Sequence, residues 1–295
     1  MDQIFGVPTA AFMGQLMLGL VNGSFYALLS LGLAVIFGML NIVNFAHGAL
    51  YMTGAFFAWM LLNYAGVNYW FALLLAPVAV GLIGVIIEKT MLRWLHGLDH
   101  LYGLLLTFGL ALLLEGVFRE FYGSSGLPYE LPEIFRGGFD LGFMFLPKYR
   151  AWVIFAAVFV CLATWFVIEK TKLGAYLRAG TENPNMVKAF GINVPLMVTL
   201  TYAFGVGLAG LAGVMAAPIY QVSPLMGSNI IIIVFAVVVI GGMGSILGSI
   251  LTGLVLGLIE GLTKVFYAEL SSTVVFIIMV IVLMFRPAGL FGREK

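Results

Sequence analysis
The chain has 295 residues, of which 62% are hydrophobic and only 9% charged, where soluble domains carry roughly 25% charge. A net charge of +1 leaves no basic surface for a nucleic-acid role, and the lone Cys161 excludes a disulfide within the chain. Asp, Glu, Lys and Arg are absent between Asp2 and Glu88 and again between Lys188 and Glu260, and each gap is several times the ~20 residues that one spanning helix needs.

These runs are continuously apolar rather than alternating with period two, which selects helices over a closed barrel. The expected fold is all-α: one polytopic transmembrane domain over residues 1–295, with about eight to nine spanning helices, some of them short or broken. The amino terminus lacks a basic n-region and a small-residue cleavage site, so no cleavable signal is expected.

In chain order, the apolar runs predict spans at 10–30, 31–62 with an interruption, 67–87, 101–121, 151–169, 194–216, 228–244, 246–266 and 270–285. The interruption, Asn41-Ile-Val-Asn-Phe-Ala-His-Gly48, places two carboxamides and an imidazole in apolar surroundings. Two readings are open. Asn41, Asn44 and His47 line a translocation path at an unwound segment, or the segment is a cytoplasmic turn with Asn44 capping a helix that begins near Ala46. Glu88, Lys89 and Arg93 read as anchors at a cytoplasmic edge, and Glu115 with Arg119, like Glu260 with Lys264, as i,i+4 pairs reaching for an interface.

The loop 122–150 mixes Arg136, Lys148 and Arg150 with Glu130, Glu133 and Asp140 and is assigned to the outside. By contrast, the island Lys170–Asn193 carries four cations against the single carboxylate of Glu182, and Gly174, Gly180, Pro184 and Gly191 divide it into short pieces. With Lys89, Arg93, Arg286, Arg293 and Lys295 it defines the cytoplasmic side, and parity then puts the amino terminus outside. Such a loop suits docking to another protein. In the last third, Gly241-Gly-Met-Gly244 is expected to turn the chain. Ser249, Gly253, Gly257 and Gly261 then recur every four positions as a smooth stripe for close helix packing, within one subunit or between two.

Enzymatic signals are missing. The nearest approach to a phosphate-binding loop, Gly257-Leu-Ile-Glu-Gly261-Leu-Thr-Lys264, has the wrong spacing in an apolar helix, and His47, His96 and His100 are scattered. Any ATP-driven work must therefore come from another polypeptide.

Several motifs together resemble the LivH-type permease subunits of bacterial branched-chain amino-acid ABC transporters. They are Asn22-Gly-Ser-Phe-Tyr-Ala27, Asn44-Phe-Ala-His-Gly48, the island ending in Gly191-Ile-Asn193, Gly241-Gly-Met-Gly-Ser245 and Arg286-Pro-Ala-Gly-Leu-Phe-Gly292. The resemblance implies a type II importer-like permease in the bacterial cytoplasmic membrane, with no cofactor of its own. It implies as partners a second homologous permease, two cytoplasmic ATPases that hold ATP-Mg, and an external solute-binding protein for leucine, isoleucine or valine. It also implies that Arg178, Ala179, Glu182, Asn183, Ala189, Gly191, Ile192 and Asn193 form the coupling loop to the ATPase. Two departures stand out: Ala49 follows the histidine-glycine pair where the family often has Glu, and the family's later basic stretch reads here Glu88-Lys-Thr-Met-Leu-Arg-Trp-Leu95. A related permease for urea, short amides or another small solute, and a self-sufficient channel or secondary carrier, therefore stay open as alternatives.

Overall fold
The computed structural model describes the chain except Met1, Asp2, Phe5, Asn41, His96, Gly97, Phe143 and residues 293–295, and the side chain of Ile4. Among the described residues, eleven α-helices run in the order α1 (Thr9–Leu40), α2 (Ala46–Ala65), α3 (Tyr69–Thr90), α4 (His100–Tyr122), α5 (Lys148–Lys170), α6 (Lys172–Glu182), α7 (Pro184–Ala189), α8 (Val194–Tyr220), α9 (Met226–Gly241), α10 (Ile246–Phe266) and α11 (Val274–Phe285). Among the described residues six are long and apolar enough to cross a membrane, namely α1, α3, α4, α5, α8 and α10. The chain is a helical, multi-pass membrane protein. One boundary differs from the sequence expectation: residues 10–30 and the start of 31–62 form a single helix of 32 residues, about 48 Å long. Ser30 and Gly32 interrupt the apolar run, yet the Ser30 hydroxyl donates to the Ala27 carbonyl within the helix and Gly32 packs against Gly205, so the helix continues to the polar segment and stops there.

Contacts divide the chain into two compact units, one of residues Met1–Ser30, Leu131–Cys161 and Ile233–Lys295, the other of Leu31–Glu130 and Leu162–Ile232. In the first unit, the glycine stripe of α10 lies against the first part of α1. A Cβ on Gly253 would come within 2.5 Å of the Ala27 nitrogen, and one on Gly261 within 2.5 Å of the Gln15 carbonyl oxygen. Gly257 meets Gly23 more closely still. Ser249, fully buried, offers its carbonyl to the Ser30 hydroxyl at 3.1 Å. In lipid, such backbone approach and its dispersion contacts hold helices together where water would supply no drive. At one end of the seam the Tyr26 hydroxyl donates to Glu260 Oε2 at 2.7 Å, while Lys264 Nζ lies 2.5 Å from Oε1. This places a carboxylate inside the packed seam, where it bridges two helices as well as pairing along one.

The turn between α9 and α10 uses left-handed backbone at Gly242 (φ 99°) and Gly244 (φ 85°). The segment after α11 folds onto it: Leu290 N–H donates to the Ile240 carbonyl at 2.8 Å and Phe291 N–H to that of Gly241 at 3.2 Å. These bonds satisfy carbonyls that the end of α9 leaves orphaned.

The second unit is built on α8, which packs along α2 and α3. Here too glycines set the spacing. A Cβ on Gly32 would fall 2.6 Å from the Gly205 carbonyl oxygen, Gly54 meets Gly210, and Gly213 meets Tyr51. Leu50, Val80, Tyr202 and Val206 fill the core between these helices. The exposed stripe of α3, from Phe71 and Leu74 through Val78 and Leu82 to Ile86, is wholly apolar and suits lipid.

Candidate functional site
The break at 42–45 lies inside the second unit, and this geometry excludes a surface turn. Asn44 is 1% exposed and its Nδ2 donates to the Tyr202 hydroxyl at 3.1 Å. Tyr202 stands eight residues into α8, about 12 Å along its axis. Across the break, Thr107 accepts from the Phe45 N–H and donates to the Val43 carbonyl, both at 3.2 Å, from a position seven residues into α4. Side chains from neighbouring helices thus take over backbone groups that an unwound segment leaves without helical partners. Asn44 does not cap α2: its N-cap is Phe45, with no side-chain cap bond. His47 is fully buried and its ring lies against Gly32, where a Cβ would be 2.9 Å from Cε1. Asn41 lies outside the described residues.

Beneath the break is a cavity of about 340 Å3, lined among others by Ile42, Glu88, Arg93, Asp99, Gly180 and Lys188. Glu88 is only 2% exposed and accepts from the Thr199 hydroxyl at 2.5 Å, so it ties α3 to α8 and is no surface anchor.

The island folds as an elbow of two short helices. Asn183 Oδ1 accepts from Met186 N–H at 3.0 Å at the start of α7, which opens with Pro184. Gly191 closes that helix with φ 79°, a backbone that side chains resist, and Asn193 Oδ1 accepts from Leu196 N–H at 3.1 Å to begin α8. The Gly191-Ile-Asn193 signature is thus a stop followed at once by a start. Gly180 is buried against Met197.

The eight residues singled out for coupling divide by role. Ala179, Glu182, Ala189 and Gly191 are exposed, whereas Asn183 and Asn193 serve as caps and Ile192 is half-buried in an apolar groove of about 550 Å3 shared with Tyr176 and Leu200. Arg178 turns back to α5, donating to the Ile168 carbonyl at 3.2 Å and lying 3.3 Å from Glu169 Oε2. Met186 and Phe190, outside the eight residues expected to couple, are 59% and 75% exposed on the elbow. Their signal was available: large apolar residues in a loop that the charge pattern places outside the bilayer have no lipid to cover them.

Outside the spans, Tyr129 is buried, and this burial, with Tyr69 nearby, pushes its phenol well above the ordinary value. The neutral ring packs edge-on to Tyr69, 6.4 Å between centroids.

Comparison with known proteins covers nearly the whole chain. It is 32% identical to the high-affinity branched-chain amino acid transport system permease protein BraD of Pseudomonas aeruginosa, over 96% of this chain and 97% of the relative. Identity to LivH of Escherichia coli K12 is 29%, covering 96% of each chain. The LivM permease of the same organism is 28% identical, over 92% of this chain and 68% of its own length. No solved structure matches. Residues 15–283 fit the family model described as branched-chain amino acid transport system, permease component, and the chain belongs to that family.

Proposed function
We propose that this chain is the membrane-spanning subunit of an ATP-driven importer of branched-chain amino acids, seated in the cytoplasmic membrane of a bacterium. Similarity over the full length to BraD and LivH is the observation that carries the reading. A second permease completes the path, since LivH and LivM are separate relatives of this chain. Two cytoplasmic ATPases holding ATP-Mg supply the work, and an external solute-binding protein delivers leucine, isoleucine or valine.

The elbow is suited to receive force. Met186, Phe190, Ala189 and Glu182 offer apolar surface beside one carboxylate, a composition that fits a cleft on a soluble partner. The Asn193 cap joins the elbow directly to α8, and α8 packs on α2 and α3 through backbone-close glycines. Helices in such contact shift as a body rather than deform, so displacement of the elbow reaches the break at Asn44 through Tyr202. Access then alternates as the ATPases close and open.

Uptake of radiolabelled leucine by vesicles containing the whole complex tests this. Transport is expected to require ATP inside and loaded binding protein outside, and the ATPases are expected to co-purify with the chain. Uptake by this chain alone on an ion gradient would overturn the reading.

A further inference from the structure
The face that α4 and α9 present beyond the break differs from the lipid-facing stripe of α3. Glu115 stands eight residues beyond Thr107, about 12 Å further along α4, and seven residues short of its end. Its Oε1 lies 2.5 Å from Arg119 Nη2, and its Oε2 accepts from the Ser228 hydroxyl of α9 at 3.0 Å. The Arg119 side chain is 49% exposed and that of Glu115 17%. Arginine, three residues from the end of α4, reaches an interface easily. Glutamate has a short side chain, sits a turn deeper, and is held toward α9 by Ser228.

A charged pair at this depth facing hydrocarbon is costly, and such groups normally border water or a substrate path. The same face carries a cavity of about 60 Å3, lined by Phe45, Ala49, Met52, Phe108, Ile231 and Glu115 itself. Its floor is where α2 and α9 begin: a Cβ on Gly48 would come within 2.6 Å of the Gly227 carbonyl oxygen. Two helix starts therefore meet within the body of the protein, below a carboxylate and a guanidinium and beside an apolar recess.

We infer that this face is a subsite of the translocation path that takes an α-amino acid as its zwitterion, completed by the partner permease. The ammonium group meets Glu115, the carboxylate meets Arg119, and a short branched side chain enters the recess between Met52, Phe108 and Ile231. Pair and zwitterion are each neutral overall, so the solute enters without adding net charge to the membrane interior. Ala49 at the floor leaves the room that a larger residue would take. The inference rests on the importer reading for its solute, while the accessibility of the face can be measured whatever drives transport.

The test uses the complete transporter in proteoliposomes. The only cysteine of this chain is Cys161, 1% exposed, so new thiols can be followed by mass shift. Ser228→Cys is expected to react with a water-soluble methanethiosulfonate at least about tenfold faster than Leu82→Cys on the lipid stripe, and more slowly once loaded binding protein and ATP are present. Glu115→Gln is expected to lower leucine uptake per ATP hydrolysed by about tenfold, with Glu115→Asp restoring part of it. Labelling of Ser228→Cys no faster than Leu82→Cys, or full uptake by Glu115→Gln, would overturn the subsite. ATP-independent uptake by the unmodified complex would instead overturn the importer reading, and the labelling rates would still decide whether the face is wet.

Discussion
The seam between α10 and the first part of α1 and the elbow of α6 and α7 use glycine and apolar residues to opposite ends. In the seam, Gly253, Gly257 and Gly261 vanish against Ala27, Gly23 and Gln15, and no large side chain separates the helices. In the elbow, Gly191 has open space around it and Met186 and Phe190 project outward. The same residue types build a closed contact where backbones must approach, and an open one where a second surface must be admitted. What distinguishes them is what lies opposite, which composition does not state.

Breaking the seam should have the largest effect. Gly257→Leu would drive a branched side chain into Gly23 and is expected to cost at least about 3 kcal/mol, seen as loss of the monodisperse peak when the detergent-solubilised chain is heated before size exclusion. Retention of that peak at the unmodified melting temperature would show that the seam is not a tight contact.

Glu260→Ala comes next. It leaves Tyr26 without its acceptor and Lys264 without its partner, and should lower stability by about 2 kcal/mol, while Glu260→Gln, which keeps an acceptor for Tyr26, should lose about half as much. Thermal unfolding in one detergent compares the two directly.

The elbow should respond in a different observable. Phe190→Asp is expected to leave melting unchanged and to cut ATPase recovery on co-purification about tenfold, because an exposed anchor contributes to binding rather than to folding. A drop in melting temperature with normal ATPase recovery would place Phe190 in the packed part of the chain instead. Smallest of all, Asn193→Ala removes the cap of α8 and should cost about 1 kcal/mol, with leucine uptake falling more than stability if the cap also transmits the motion.

Part of this was legible in the sequence. The break before Ala46, the α10 stripe and the helix ends at Gly191 and Asn193 each follow from local chemistry: polar groups in apolar runs, small residues at helical period, and a left-handed stop beside a cap. The partition of the first two helices was not legible, since Ser30 and Gly32 read like a helix end in sequence while the helix simply continues through them. The bonds of Arg178 to Ile168 and Glu169 were not legible either, because its carbonyl and carboxylate partners lie ten and nine residues away along a chain that bends between them.

By itself the sequence determined that this is a helical multi-pass membrane protein, because uncharged runs of such length have no other way to satisfy their backbone in lipid. It also marked two of the places where helices stop, the polar segment before Ala46 and Gly191. Only the tertiary structure decided that Glu88 and Glu260 are bound within the body rather than anchored at its edges, and that Asn44 meets Tyr202 across 158 positions of chain. Periodicity reports which face of a helix is apolar, while the partner of a buried polar group is fixed by which helix comes to lie against it.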